Sequence, residues 1–147
     1  MRILAFETSA KAASVALLND GVLLAEYYQN SGQTHSCTVM KMAEDLLCNC
    51  DLTVEQVDAV AVAAGPGSFT GVRIGVAAAK GFAWGRQLPC CGVSTLEAMA
   101  WSSGLADGVV VPAMDARRSQ VYTAIFRMEQ GVPQRLMEDS AISMEEL

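Results

Sequence analysis

An apolar run, Val57 to Ala64, leads directly into Gly65-Pro66-Gly67-Ser68-Phe69-Thr70-Gly71-Val72-Arg73-Ile74-Gly75, and this passage restricts the fold more than any other. The run predicts a buried strand. The segment Ser68 to Gly85 predicts a helix. Gly65 and Gly67 permit positive φ and close approach of another group, Pro66 fixes one φ, and Ser68 is suited to cap the helix. A glycine-rich turn feeding a helix N-terminus gathers free N–H groups at the positive end of the helix dipole, which suits an anion. Common nucleotide motifs do not fit. A P-loop needs Gly-Lys-Ser/Thr, and here Val72 and Arg73 follow Gly71; a dinucleotide fingerprint needs two residues, not three, between Gly67 and Gly71. On spacing alone the stretch is either an anion site or a tight connection without a ligand.

The 147 residues suit one domain or one and a part. With 52% hydrophobic residues the chain can build a packed core. A formal charge of −6 argues against independent nucleic-acid binding, which needs a basic face. The five cysteines, Cys37, Cys48, Cys50, Cys90 and Cys91, contain no Cys-x-x-Cys pair, and His35 is the one histidine. No zinc set follows. The cysteines read as small buried hydrophobes, reduced in a cytoplasmic setting. No secretory signal is expected, and no stretch approaches the roughly 20 apolar residues of a membrane span.

In chain order, strands are expected at Ile3–Glu7, Ala13–Leu18 and Val22–Gln29, with Asn19-Asp20-Gly21 as a hairpin turn. A helix follows from about Thr34 to Cys50, whose Val39, Met42, Ala43, Leu46, Leu47 and Cys50 form one apolar stripe. Thr53 and Gln56 have capping-box spacing. The strand Val57 to Ala64 is expected to be covered on both faces. Beyond the glycine-rich helix come a strand at Leu88–Val93, a helix from Ser94 to about Ser103, a strand at Val109–Met114, a turn at Asp115–Arg118 and a strand at Gln120–Met128. Residues 129–147 read as a polar remainder with a helix start at Ser143 and Glu146. Gly71, Gly75 and Ala79 share a helix face that invites close approach, either of the chain's own sheet or first helix or of another subunit; we expect part of it to be buried against another subunit. The segment from Ile3 with Glu7 at its end is echoed by the segment from Val109 with Asp115 in the matching place, so a first domain at residues 1–103 and a truncated second one at 104–147 are expected.

Ile3 to Leu17, ILAFETSAKAASVAL, resembles the opening of the actin, Hsp70 and sugar-kinase fold. The run GPGSFTGVRIG at Gly65–Gly75, with Gly92-Val93-Ser94-Thr95-Leu96 and Met114-Asp115-Ala116-Arg117 followed by Val121-Tyr122, resembles the bacterial TsaB family, also called YeaZ. The resemblance implies an α/β, ribonuclease H-like mixed sheet with flanking helices and an incomplete second domain of the same kind. It implies a cytoplasmic, non-catalytic scaffold subunit without a cofactor or metal, which sometimes carries a glycoprotease label. The implied partners are the catalytic paralogue TsaD, the ATPase TsaE and a second copy in isolation; tRNA is reached through the complex. The implied product is threonylcarbamoyladenosine at position 37 of tRNAs that read codons beginning with A.

By the same resemblance, pairing uses the first two helices. The expected interface is His35, Val39, Met42, Leu46, Gly71, Val72, Gly75 and Ala79. Candidate nucleotide contacts are Glu7, Thr8, Ser9, Gly65, Gly67, Ser68 and Asp115. Position 7 departs from the family, where most members have Asp, which fits a subunit that does no phosphoryl chemistry. The alternatives are a kinase-like enzyme of the same fold, with Glu7, Thr8, Ser9 and Asp115 flanking phosphates, and a metallopeptidase, which lacks ligands.

Overall fold

The computed structural model describes Met1–Leu147 as two compact units, residues 1–64 with 68–92, and residues 93–147 with 65–67. The first unit is built on a five-stranded sheet. Its strands are β1 (Arg2–Glu7), β2 (Ala13–Asn19), β3 (Val22–Gln29), β4 (Ala59–Gly65) and β5 (Cys90–Ser94), in the order β3-β2-β1-β4-β5. β1 runs antiparallel to β2 and parallel to β4. The β2–β3 hairpin turns at Asp20 and Gly21, with φ of 50° and 80°, the positive pair that matches strand twist.

Helices α1 (His35–Asn49) and α2 (Phe69–Arg86) cover one face of this sheet. The expected stripe of α1 is the buried one: Val39, Met42, Ala43, Leu46 and Leu47 meet Leu4, Phe6, Val15, Leu17, Val60 and Val62. Each of these valine, leucine, methionine and phenylalanine side chains contributes roughly 1.5–3 kcal/mol on burial. Before β4 the chain makes one 3-10 turn, Val54–Gln56, where the Gln56 side chain accepts from the Thr53 N–H at 2.9 Å. That turn absorbs Val57 and delays β4 to Ala59. The other sheet face has no helix of this unit, so Ala59 and Ala61 are half-buried while Val60 and Val62 are buried. The expectation of cover on both faces of β4 is thereby corrected.

The second unit contains α3 (Thr95–Trp101) and the strands β6 (Gly108–Val110), β7 (Ala113–Arg117), β8 (Gln120–Glu129) and β9 (Val132–Ser143). Ser94 caps α3, accepting from the Glu97 N–H at 3.2 Å. Leu96 and Ala100 pack with Ala124 and Phe126. That packing moves α3 into the second unit, so the expected boundary at 103/104 shifts to 92/93. The single strand expected at Val109–Met114 is two strands, β6 and β7, both antiparallel to β8. The break falls at Pro112, which has no N–H for a ladder; its carbonyl accepts from the buried Thr123 hydroxyl at 2.9 Å.

β7 runs through Asp115 to Arg117, and the turn falls later, with positive φ at Arg117, Arg118 and Ser119. The expected polar remainder is β9, twelve residues paired with β8 through a positive-φ Gln130-Gly131 turn. Ser143 and Glu146 do bond, N–H to carboxylate at 2.9 Å, but they close a turn and start no helix. On β9, Arg135 lies between Glu97 at 3.1 Å and Asp139 at 2.5 Å, over the Phe126 ring at 4.7 Å. Burial opposes its charge, yet these two carboxylates raise its pKa above the ordinary value. The broken β6/β7, then β8, then β9 repeat the β1-β2-β3 meander, which is the echo read in the sequence.

Candidate functional site

The glycine-rich stretch is a strand-to-helix turn, and it locks onto the end of β1. β4 ends at Gly65 with φ 105°, a value that favours glycine, and the Gly65–Pro66 peptide is cis. Ser68 caps α2 as expected: its Oγ accepts from the Gly71 N–H at 3.2 Å. Just past β1, Thr8 and Ser9 are buried. The Thr8 hydroxyl donates to the Gly71 carbonyl at 2.8 Å, and the Ser68 N–H donates to the Ser9 carbonyl at 2.6 Å. The Glu7 carboxylate accepts from the Ser9 N–H. The Ser9 hydroxyl is buried without a partner.

These bonds decide what the glycines are for. A Cβ at Gly71 would stand 2.1 Å from the Thr8 carbonyl oxygen, and one at Gly75 would stand 2.2 Å from the Thr8 hydroxyl. Ala79 and Ala83 continue the same buried line. The close approach permitted by Gly71 and Gly75 is thus filled by the chain's own β1–β2 turn, and Ala79 lies in the core. Their assignment to a subunit interface is corrected. Val39, Met42 and Leu46 leave that interface for the same reason, since they lie in the core. Val72 is half-buried. His35 is half-buried too, with Nε2 3.0 Å from the Ala10 carbonyl, which ties the start of α1 to the β1–β2 turn.

Of the candidate nucleotide residues, Glu7, Thr8, Ser9 and Ser68 come together in the first unit, while Gly65 and Gly67 lie in the connection beside Ser68. Within this group the Thr8 hydroxyl and the N–H groups of Ser9, Ser68 and Gly71 are already engaged. Asp115 is exposed on β7 of the second unit and accepts from the Arg117 N–H at 2.7 Å. No three His, Cys, Asp or Glu side chains are grouped to hold a metal ion. All five cysteines are free, but four are exposed and Cys50 is half-buried, which corrects their reading as buried hydrophobes. Cys37 and Cys48 fall on the solvent side of α1 and Cys90 and Cys91 on the edge strand β5, while Cys50, at the end of the apolar stripe, packs partly against the core.

The sequence reading passed over the opposite side of α2. Phe69 is 70% exposed and Trp84 87% exposed. The Arg73 guanidinium lies 3.4 Å from the Phe69 ring centroid. Residues 69, 73, 77, 80 and 84 recur at three- and four-residue spacing, so Phe69, Arg73, Ala77, Lys80 and Trp84 form one exposed stripe. Two large aromatics outside the buried line of a glycine-rich helix were the available signal. Beside this stripe, α1 and the 3-10 turn border a groove of about 740 Å³ lined by Met40, Leu47, Leu52, Val54 and Phe82.

The family described as "TsaD: tRNA N6-adenosine threonylcarbamoyltransferase" matches residues 24–147. The tRNA threonylcarbamoyladenosine biosynthesis protein TsaB of Bacillus subtilis is 38% identical over 98% of this chain and 63% of its own length. The solved structure of YeaZ from Pseudomonas aeruginosa superimposes with a TM-score of 0.88 at 34% identity, over 96% of this chain and 67% of that one. The chain belongs to the TsaB (YeaZ) family. This is the family that the GPGSFTG run resembles. The chain spans about three fifths of the length of the curated TsaB relatives it matches. A more distant structure, the ethanolamine utilization protein EutJ from Carboxydothermus hydrogenoformans, shares the fold alone, with a TM-score of 0.55 at 15% identity, 98% of this chain and 52% of that one being covered. The fold is the actin, Hsp70 and sugar-kinase class read from the opening strands. No helix is long and apolar enough to cross a membrane.

Proposed function

We propose that the chain is a non-catalytic scaffold in the synthesis of threonylcarbamoyladenosine on tRNA. It binds the catalytic TsaD-type paralogue through the outer face of α2 and the adjoining side of α1, and works with a TsaE-type ATPase. In isolation the same face pairs two copies. The names of its relatives support the pathway. The observation that carries the scaffold reading is the exposed stripe Phe69, Arg73, Ala77 and Trp84, because large aromatics and arginine are the residues that anchor protein interfaces. The glycine stripe is already filled by Thr8, which favours the outer face.

A kinase-like enzyme would need the β1–β2 turn free to receive phosphates. Here the Thr8 hydroxyl and the Ser68 N–H face inward to the protein, which favours the scaffold reading. The test is reconstitution with the paralogue, the ATPase, tRNA, ATP and a preformed activated threonylcarbamoyl donor, with the modified nucleoside counted by mass spectrometry. The full mixture is expected to yield product, and the chain alone none. Phe69→Glu together with Trp84→Glu is expected to abolish the yield while leaving the fold intact. Undiminished product with the double variant would sink the assignment of this face.

A further inference from the structure

The sheets of the two units end in strands of different kinds. β9 pairs with β8 alone; it carries Pro133, Arg135 and Asp139, and its register shifts twice. Proline, charge and register breaks blunt an edge against further pairing. β3, at the edge of the first unit's sheet, has no Pro, Lys or Arg, and its one charged residue is Glu26. No backbone group of β3 hydrogen-bonds outside the β2 ladder. In an antiparallel pair every second residue turns its N–H and C=O away from the neighbouring strand. The outer side of β3 is therefore an open row of donors and acceptors.

Beside that row a groove of about 490 Å³ runs between β3 and α1, lined by Glu26, Tyr27, Tyr28, Gln29, Met42 and Asp45. Met42 is buried, while Glu26, Tyr28 and Asp45 are exposed. The Asn49 amide donates to the Tyr27 hydroxyl at 2.6 Å, which ties Tyr27 to α1 and leaves its own O–H free to donate. The lining holds two carboxylates and no Lys, Arg or His. They lie on opposite sides of the edge: Glu26 is in register with Ala16, between the core-facing Val15 and Leu17, and so points away from the helices, whereas Asp45 belongs to α1. An added strand points successive side chains to opposite faces, so two neighbouring cations would straddle the edge, one toward each carboxylate. A second copy of β3 would instead set this acidic border against itself.

We propose that β3 is a docking edge for an extended basic peptide segment of another protein, which adds to the sheet as a strand and sets paired Lys or Arg side chains against Glu26 and Asp45. The inference is independent of the α2 face. The probe is a fluorescein-labelled peptide, Thr-Lys-Lys-Val-Thr-Lys-Lys-Thr, matched to the 8 residues of β3 and titrated with the chain while anisotropy is read. Two controls accompany it: the same peptide with Glu in place of Lys, and the same peptide with every backbone nitrogen methylated, which keeps the charge and removes the strand's donors. Only the unmethylated basic peptide is expected to bind. Glu26→Gln combined with Asp45→Asn, both at exposed positions, should weaken it roughly tenfold, and Trp84→Ala should leave it unchanged. No binding of the basic peptide would overturn the proposal. Equal binding of the methylated peptide would overturn it by reducing the contact to charge attraction. Binding indifferent to the double variant, or lost in Trp84→Ala, would overturn it by placing the contact elsewhere.

Discussion

Helix α2 has two faces built from opposite kinds of residue. On one, Gly71, Gly75, Ala79 and Ala83 are buried, and the backbone and side chain of Thr8 fill the space left at Gly71 and Gly75. On the other, Phe69, Arg73, Lys80 and Trp84 stand in solvent. The small residues serve the fold and the large ones face outward. In a soluble helix the reverse distribution is the ordinary one, since large apolar side chains contribute most when buried. The difference separates two constraints that a glycine-rich motif can express. Here the glycines record how tightly the β1–β2 turn closes on α2, and the proposed recognition falls to the aromatics.

The largest effect is expected at Gly71. Gly71→Ala sets a methyl 2.1 Å from a backbone oxygen that cannot swing away, so it should destabilise the chain by about 3 kcal/mol, read as a lowered midpoint in denaturant. A midpoint equal to that of the unaltered chain would show that the turn is not packed as described. Gly75→Leu should also lower the melting point, because its Cβ meets the Thr8 hydroxyl that bonds to Gly71. A variant that melts normally yet associates less would return Gly75 to the interface.

Trp84→Ala comes next and acts on the other face. It should weaken pairing with the paralogue by about 2 kcal/mol, on the order of 30-fold in Kd, with no loss of stability. Thr8→Val keeps the shape and removes one buried hydrogen bond, so it should cost about 1 kcal/mol. The smallest effect has the opposite sign. Gly81 lies on α2 with nothing within 4 Å of a Cβ built there. Gly81→Ala should therefore stabilise the chain by up to about 1 kcal/mol. A loss of stability there would mean that the glycine positions of α2 share one cause, and the contrast between its faces would fail.

Much of this was legible in the sequence where a single periodicity governs. The three opening strands, the Asp20-Gly21 turn, the stripe of α1 and the Ser68 cap all follow from local pattern. The family was legible too, because the GPGSFTG run is specific. β9 was not, because Gln134, Glu138 and Asp139 make it look like a polar tail, while its half-buried side, Pro133, Arg135 and Met137, has one apolar anchor too few to stand out. The split of β6 from β7 turned on one missing N–H at Pro112. The fate of the glycine stripe depended on Thr8, sixty-three residues before Gly71 in the chain. No helical periodicity can reveal a partner at that separation. The same blindness placed Val39, Met42 and Leu46 at an interface, since an apolar stripe looks alike whether it meets its own sheet or another subunit.

The central claim is that α2 keeps its fold with one face and its partner with the other. It is tested most directly by calorimetric titration of the chain with the TsaD-type paralogue, comparing the unaltered chain with Trp84→Ala and recording a melting curve for each. The account predicts a Kd raised on the order of 30-fold with superimposable melting curves. An unchanged Kd would contradict it, and so would a weaker Kd explained by a melting point that falls in step.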